Sequence, residues 1–136
     1  MALATWSTLS AESANLATPL NGVVTGTTVF VGDIENTTNK NLYLGLWFQT
    51  GTMTPISTGS ILVILRRKRG SAYAENNSEI QLPALTGTGS RQVNLAASIR
   101  IPYASTWGLF IQNNLGATIP ASGNTLVSFT WNEEIN

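Results

Sequence analysis

The sequence predicts an all-β protein, an antiparallel two-sheet sandwich with a jelly-roll-like topology and an irregular N-terminal arm. Thr, Ser, Asn and Gln make up 47 of the 136 residues, and Gly adds 12 more. These residues favour strands and turns over helices. Short segments with strand character recur about every 10 to 18 residues, and no segment with a helical period is long enough to pack across a sheet.

The N-terminal 20 residues differ in pattern from the rest of the chain. Residues 1–20 mix Ser, Asn and Pro with small apolar residues, and they follow neither the period of a strand nor that of a helix. We therefore assign them to an arm and residues 21–136 to a single β-sandwich domain. Arms of this kind are often ordered by a neighbouring subunit.

Within the domain, eight segments have the alternating or continuous apolar pattern of a strand. They are residues 23–31, 42–49, 61–65, 79–82, 92–101, 107–112, 117–119 and 125–131. In the second segment, Leu44, Leu46 and Phe48 share one face and Trp47 lies on the other. The third segment is apolar at five successive positions. Such a run indicates a strand that is covered on both faces.

The connections between these segments are polar and uneven. Residues 33–41 have the composition of a turn, and residues 49–60 and 70–78 have that of longer loops. Because a meander of tight hairpins needs short and regular connections, these lengths favour a jelly roll. The order of the strands within each sheet does not follow from the sequence.

Charge and residue usage exclude several functions. Seven basic residues balance seven acidic ones, and only 10% of residues are charged, against about 25% in an average soluble protein. This balance argues against a general nucleic-acid binder. The absence of Cys and His excludes disulfides, Cys/His zinc sites and Ser-His-Asp triads. We expect no cofactor and no metal site, and an enzyme is the weakest functional hypothesis.

The chain also lacks recognisable targeting patterns. Its first residues have neither the basic region nor the apolar region of a signal peptide. No apolar run reaches the roughly 18 residues that a membrane span needs. The sequence therefore predicts a soluble protein that is made in the cytoplasm and has no membrane contact.

The most uneven feature of the sequence is a run of four basic residues, here called the basic tetrad: Arg66, Arg67, Lys68 and Arg69. In a strand, Arg66 and Lys68 lie on one face and the other two on the opposite face. The tetrad is a candidate site for the carboxylates of a partner subunit or for phosphates. Alternatively, it prevents edge pairing and keeps an uncharged surface soluble. We expect an acidic protein surface rather than nucleic acid, because no base-stacking aromatic residues interleave with the tetrad.

Four Trp and three Tyr residues raise the alternative of a glycan-binding site, because sugar rings stack on exposed aromatic faces. Most of these rings are expected in the core or in interfaces, since Trp is usually buried. Trp107 shares a face with Leu109 and Ile111, which predicts a core position. Trp47 and Trp131 are the two that we expect to be exposed.

The acidic residues give no clear sign of catalysis, which needs paired carboxylates or one with a perturbed pKa. Nearly all seven fall in predicted turns or near residue 136. Asp33 and Glu35 alternate onto one face, but two carboxylates without a Gly-centred ligand loop are weak evidence for calcium. We interpret them as solvated turn residues.

The whole sequence resembles the small jelly-roll structural proteins of tailed bacteriophages, in particular head decoration or cement proteins. The resemblance rests on the composition, on the low charge and on the C-terminal stretch from residue 107 through residue 135, which is under a quarter of the chain. It implies a role without catalysis, in which subunits, often trimers, sit between capsomers and reinforce the shell. The implied partners are the major capsid protein or other virion subunits, and further copies of this chain in a homo-oligomer. The implied location is the virion.

Two other functions stay open at this point. One is a glycan-binding module, for which exposure of Trp47 or Trp131 would be the supporting observation. The other is a tail or fibre component of a phage. The sequence does not separate these functions from a head decoration protein.

Overall fold

The computed structural model describes residues 4–6, 11–37, 43–84, 89–101 and 105–135. In these residues the chain forms nine strands and one short 3₁₀ helix. The elements are β1 (Ala4–Trp6), the 3₁₀ helix (Thr18–Leu20), β2 (Thr28–Glu35), β3 (Tyr43–Met53), β4 (Ser60–Arg69), β5 (Ala72–Pro83), β6 (Arg91–Arg100), β7 (Thr106–Asn114), β8 (Thr125–Trp131) and β9 (Glu133–Ile135).

Seven of these strands form two antiparallel sheets that pack together. The four-stranded sheet has the order β2-β7-β4-β5, and the three-stranded sheet has the order β6-β3-β8. β1 pairs separately with β9. Between β2 and β8 the chain crosses from one sheet to the other at every connection except the β4–β5 hairpin. The predicted all-β, antiparallel two-sheet sandwich is confirmed.

The core lies between the sheets and takes alternate residues from each strand. Leu44, Leu46 and Phe48 of β3 are buried there, as their alternation predicts. Trp107 and Leu109 of β7 belong to the same cluster, with Trp107 only 6% exposed. Full burial of one leucine or phenylalanine side chain stabilises a fold by roughly 1.5–3 kcal/mol. The predicted core position of Trp107 is confirmed.

β4 is covered on both faces over much of its length. Ile61, Val63 and Leu65 point into the core. Ile64 points the other way and is buried as well, although it lies outside the core cluster. Leu62 on the same outward side is half-buried. The outer face of the four-stranded sheet therefore carries an apolar layer of its own.

Residues 11–20, which the sequence assigns to the arm, lie along the free edge of β8. Ser13 N donates a hydrogen bond to Ser128 O, and Leu16 N donates one to Leu126 O, both at 2.8 Å. Through these two bonds, the arm continues the antiparallel hydrogen-bonding pattern of the three-stranded sheet as an irregular segment beside β8. The edge of β8 is therefore covered by the chain itself.

Side chains of the arm complete this attachment. Asn15 Oδ1 accepts hydrogen bonds from the backbone N–H groups of Ala17 and Leu126. Ala17 and Leu20 are buried in the core cluster, with Leu20 at 0% exposure. This part of the arm is packed into the sandwich of its own chain.

Three connections differ from their predictions, and the first is the loop at 49–60, whose first residues belong to β3 because this strand runs on to Met53. β2 continues to Glu35, so Asp33 lies in a strand instead of a polar turn. Most of the predicted loop at 70–78 is also strand, because β5 begins at Ala72 after a two-residue turn. Gly70 in that turn has a φ of 62°, which suits a hairpin. These residues are polar because most of this hairpin is exposed, so they carry no apolar period that would indicate a strand.

Residues 117–119, predicted as a short strand, form none, although Ile119 N donates a hydrogen bond to Val23 O at 3.0 Å. Tyr103 and residues 38–42 lie outside the described residues, and the side chain of Trp6 does as well.

Candidate functional site

The basic tetrad lies at the end of β4, which pairs there with β7 on one side and with β5 on the other. Its regular pairing with β7 keeps the alternation expected of a strand. Arg66 and Lys68 lie on the outer face of the four-stranded sheet, and Arg67 and Arg69 lie on the opposite face. The tetrad therefore contributes to two separate surfaces.

Three aromatic rings lie beside Arg66 and Lys68 on the outer face. Phe30 of β2, Tyr73 of β5 and Phe110 of β7 contact one another, with ring centroids 5.3–5.5 Å apart. The Arg66 guanidinium lies 4.7 Å from the Phe110 centroid, and the Lys68 ammonium lies 5.5 Å from the Tyr73 centroid. Phe30 remains 42% exposed. We call this surface the aromatic–basic face; it consists of Phe30, Asp33, Arg66, Lys68, Tyr73 and Phe110.

Gly108 makes room for this arrangement. It lies on β7 opposite Asp33 on one side and Arg66 on the other. A Cβ atom at Gly108 would lie 2.4 Å from the ring of Tyr73. Because no side chain occupies this position, the Tyr73 ring lies over β7 and its hydroxyl reaches β2.

Asp33 of β2 binds the polar ends of two side chains on this face, those of Lys68 and Tyr73. Its carboxylate accepts a hydrogen bond from Lys68 Nζ and one from the Tyr73 hydroxyl, each at 2.7 Å. Partial burial raises the pKa of Asp33, but these hydrogen bonds and the charge of Lys68 outweigh it, so the pKa lies below its ordinary value of 3.8. The hydrogen bond with Asp33 also raises the pKa of Lys68 and that of Tyr73.

The carboxylates of Asp33 and Glu35 both accept hydrogen bonds from other groups of the chain. The carboxylate of Asp33 is bound by Lys68 and Tyr73, and Glu35 accepts hydrogen bonds from the backbone and hydroxyl of Thr37. Within the described part of the chain, no group of three or more carboxylates is placed to hold a metal ion. The interpretation of both residues as turn residues is wrong, because both lie in β2, and Asp33 forms an ion pair with Lys68.

The Asp33→Asn variant is expected to lose the stability that the Asp33 carboxylate gives through Lys68 and Tyr73, and the size of this loss should depend on pH. Because the folded pKa of Asp33 lies below the unfolded one, its carboxylate stabilises the fold above about pH 4, and the effect fades as the pH falls through the folded pKa. We expect wild type to melt a few degrees above the variant near neutral pH and together with it near about pH 2. Circular dichroism melts across this range measure the difference.

Glu75→Gln is the matched control, because Glu75 is an exposed carboxylate on β5 of the same sheet. This variant should follow wild type at each pH. A melting difference between wild type and Asp33→Asn that stays constant across the pH range would contradict the assignment.

Residues from both faces of the tetrad line a pocket at the β4–β5 hairpin. Its volume is about 580 Å³, and its lining residues are Arg67, Lys68, Arg69, Ala72, Tyr73 and Ala74. We call it the hairpin pocket. Arg69 lies opposite Ala72 in the strand register and is exposed. Arg67 Nε donates a hydrogen bond to Ser105 Oγ at 3.3 Å.

The outer face of the three-stranded sheet carries a second aromatic group. The rings of Tyr43 and Trp131 stack with centroids 5.5 Å apart, and Trp131 lies 5.7 Å from Phe129. Gly45 lies beneath these rings, since a Cβ there would be 2.4 Å from Phe129. Trp47 is 43% exposed. We call this surface the tryptophan face; it consists of Tyr43, Trp47, Phe129 and Trp131.

Trp131 is less exposed than the sequence suggested. It is half-buried, because Tyr43 covers one side of its ring and Phe129 lies beside it. Trp47 has no such partner ring in the described residues and is one of the largest exposed apolar side chains. On the same face, Gln49 Nε2 donates a hydrogen bond to Gln92 Oε1 at 3.3 Å.

Sequence reasoning missed the aromatic residues beside the tetrad. Phe30, Tyr73 and Phe110 come from three strands that are distant in sequence, and only the strand order brings them to Arg66 and Lys68. No aromatic residue interleaves with the tetrad along the chain, but three lie next to it in space. The alternation of Phe110 against Leu109 and Ile111 was the one available signal that its ring faces outward.

The described residues therefore define a β-sandwich with an aromatic surface on each outer face and a basic pocket at one hairpin. No described helix is long and apolar enough to cross a membrane. Comparisons with protein-family models, with curated proteins and with solved structures find no match for this chain.

Proposed function

We propose that this chain is a non-enzymatic structural protein of a bacteriophage virion, a head decoration or cement protein that binds between capsomers. Its partners in this proposal are the major capsid protein and further copies of the chain. The proposal joins the resemblance of the sequence to such proteins with the two aromatic surfaces of the fold.

The observation that carries the proposal is the apolar character of both outer faces. Strands of a sandwich usually alternate apolar residues toward the core with polar residues toward water. Here Phe30 and Trp47, one on each outer face, are more than 40% exposed among further aromatic rings. Exposed apolar groups with polar surroundings mark surfaces that bind other proteins. Two such surfaces on opposite sides of one domain suit a subunit that lies between neighbours.

The low charge supports the same function. A neutral chain gains little from long-range attraction, so its contacts must depend on apolar patches, hydrogen bonds and a few ion pairs. Such contacts are weak one at a time. On a lattice of many equivalent sites, several weak contacts act together and hold the subunit in place.

A second candidate, a glycan-binding module, is supported by Trp47. Its exposed ring lies on the same face as the Gln49–Gln92 amide pair. An aromatic ring with neighbouring amides is an arrangement that stacks on a sugar and binds its hydroxyl groups.

The test measures how many copies of this chain purified phage particles contain. Particles are sedimented from a lysate of the source culture, and this chain is counted by quantitative mass spectrometry against the major coat protein. We expect a fixed and high ratio, because a decoration protein occupies many equivalent sites on the shell. A fixed but low ratio would contradict the head placement in favour of a tail or fibre. Absence from every particle would overturn the virion function and favour the glycan-binding module.

A further inference from the structure

Strand β6 lies at one edge of the three-stranded sheet, and its partner among the described strands is β3. Val93 N of β6 donates a hydrogen bond to Thr50 Oγ1 of β3 at 2.9 Å, so this N–H group points toward β3. Because successive residues of a strand direct their backbone groups to alternate sides, the N–H and C=O groups of Asn94, Ala96 and Ser98 point away from β3. No described residue forms a hydrogen bond with these outward groups. They form a row of donors and acceptors with which a further strand can pair.

The other edges of the two main sheets each carry a feature that opposes strand addition. The arm covers β8. β5 contains Glu75, Glu79 and Pro83, and charged residues and Pro on an edge discourage pairing with another chain. The pairing of β2 with β7 has a bulge between Phe30 and Gly32, which interrupts the regular edge. These three edges are therefore poor templates for a strand of another molecule.

The edge of β6 has none of these features over its central part. Residues 92–99 contain neither a charged residue nor Pro. Residues 94–100 pair with β3 in an unbroken register. On the inner side of β6, Leu95 and Ile99 pack against the core but are only half-buried. A strand added beside β6 would cover these two side chains further and gain from their burial.

This edge is complementary to a second copy of itself. In an antiparallel pair with a two-fold axis at Ala96, Ala96 lies opposite Ala96 of the other copy, and Asn94 lies opposite Ser98. Each outward N–H group then meets an outward C=O group, since these residues direct their backbone groups to the same side. Their exposed side chains are small and uncharged, so no like charges meet at the axis. In the same register Arg100 lies opposite Gln92, whose amide oxygen can accept a hydrogen bond from the guanidinium group.

We propose that β6 pairs with β6 of a second copy and joins the two three-stranded sheets into one six-stranded sheet about a two-fold axis. The inference rests on the proposed function, in which further copies of the chain are partners, and deepens it by naming the contact between two copies. The arm covers β8 at the opposite edge of the same sheet. The pairing therefore closes at two copies and does not continue into a filament.

The first measurement is the oligomeric state of the full-length protein by sedimentation velocity, at concentrations between about 1 and 500 μM. We expect a reversible equilibrium between monomer and dimer. Amide hydrogen exchange followed by NMR at low and at high concentration locates the contact. Exchange at Asn94, Ala96 and Ser98 should slow at least about tenfold when the dimer forms. Leu95 and Ala97 direct their N–H groups to β3, so their exchange should be slow at both concentrations and serves as the internal control.

Three substitutions at Ala96 test the pairing itself. Ala96→Pro removes the N–H group at the axis, and an edge strand tolerates Pro where that N–H group has no partner in the monomer. It should raise the dissociation constant of the dimer at least about tenfold, because the central pair loses the hydrogen bond from each copy. Ala96→Ser is the matched control, because it keeps the N–H group and a small side chain. It should change the dissociation constant less than about threefold.

Ala96→Lys tests the contact with no change to the backbone. It places two like charges opposite each other at the axis and keeps every N–H group. We expect it to raise the dissociation constant at least about fivefold at low salt and by less in about 0.5 M NaCl. Circular dichroism of each variant at low concentration shows that the monomer is folded.

The remaining outcomes overturn the inference. A monomer at every concentration would show that the edge of β6 does not bind a second copy and would leave it to a strand of another protein. A trimer would contradict the pairing, because a two-fold contact closes at two copies. A dimer that neither Ala96→Pro nor Ala96→Lys weakens would place the contact on another surface. These results are independent of the particle measurement, because a chain that is present in virions but monomeric in solution keeps its proposed function and loses only this inference.

Discussion

Replacing Asn113 with Ala is expected to lower the free energy of unfolding by about 3 kcal/mol or more. Asn113 is fully buried, and its side chain forms three hydrogen bonds. Its Nδ2 donates to Val23 O and to Ala117 O, and its Oδ1 accepts from Leu115 N, all at 2.9 Å. Alanine removes these partners from Leu115 N and Ala117 O and leaves Val23 O with only its bond from Ile119 N, in a buried place where water does not replace them cheaply.

The neighbouring residue supplies the control for this experiment. Asn114 is half-buried, and its side chain donates one hydrogen bond, to Gln112 Oε1 at 3.3 Å. Asn114→Ala is therefore expected to change the stability by only about 0.5 kcal/mol. Urea unfolding followed by tryptophan fluorescence measures both variants. Equal losses of unfolding free energy in the two variants would show that the side-chain hydrogen bonds of Asn113 do not stabilise the segments at Val23 and after β7.

Removing the whole arm is the second change with a large expected effect. A chain of residues 21–136, the domain that the sequence alone predicts, should lose at least about 4 kcal/mol of stability. It lacks Leu20, which is fully buried, and Ala17 beside it. It also lacks the hydrogen bonds along β8, so it exposes an edge strand and should self-associate.

A chain of residues 11–136 separates the two parts of the arm. It keeps the described contacts of Ser13, Asn15, Leu16, Ala17 and Leu20, and of the described pairings it loses that of β1 with β9. We expect it to be more stable than residues 21–136 in urea and to stay monodisperse in gel filtration. If residues 21–136 unfold at the same urea concentration as the full chain, the arm is not part of the fold.

Apolar alternation predicted the sandwich well where one face of a strand meets the core. Leu44, Leu46 and Phe48 on β3 are examples, because each second residue is buried and the intervening ones face outward. It failed at the β4–β5 hairpin and at Asp33, where the strands carry polar residues on exposed surfaces. At those positions, backbone pairing with a neighbouring strand decides the structure, and a neighbour is not visible in a local pattern.

The candidate sites also fall into features that local alternation predicts and features that depend on how the strands pair. The two faces of the basic tetrad follow from alternation alone, and the exposure of Trp47 follows from its position opposite core residues. The ring cluster of Phe30, Tyr73 and Phe110 depends on the order β2-β7-β4-β5 and on the missing side chain at Gly108. The local patterns of one sequence do not give the strand order, so this cluster could not be predicted from them.

The covered edge of β8 bears on how such a protein avoids aggregation. A β-sandwich with aromatic outer faces, little charge and an open strand edge has a risk of forming fibrils through strand addition. The arm occupies the backbone donors and acceptors of β8 with groups of the same molecule. A strand of another molecule therefore cannot pair with β8 at this edge of the three-stranded sheet. The exposed side chains of Phe30 and Trp47 on the outer faces stay uncovered, so the arm blocks strand addition at β8 without closing these faces.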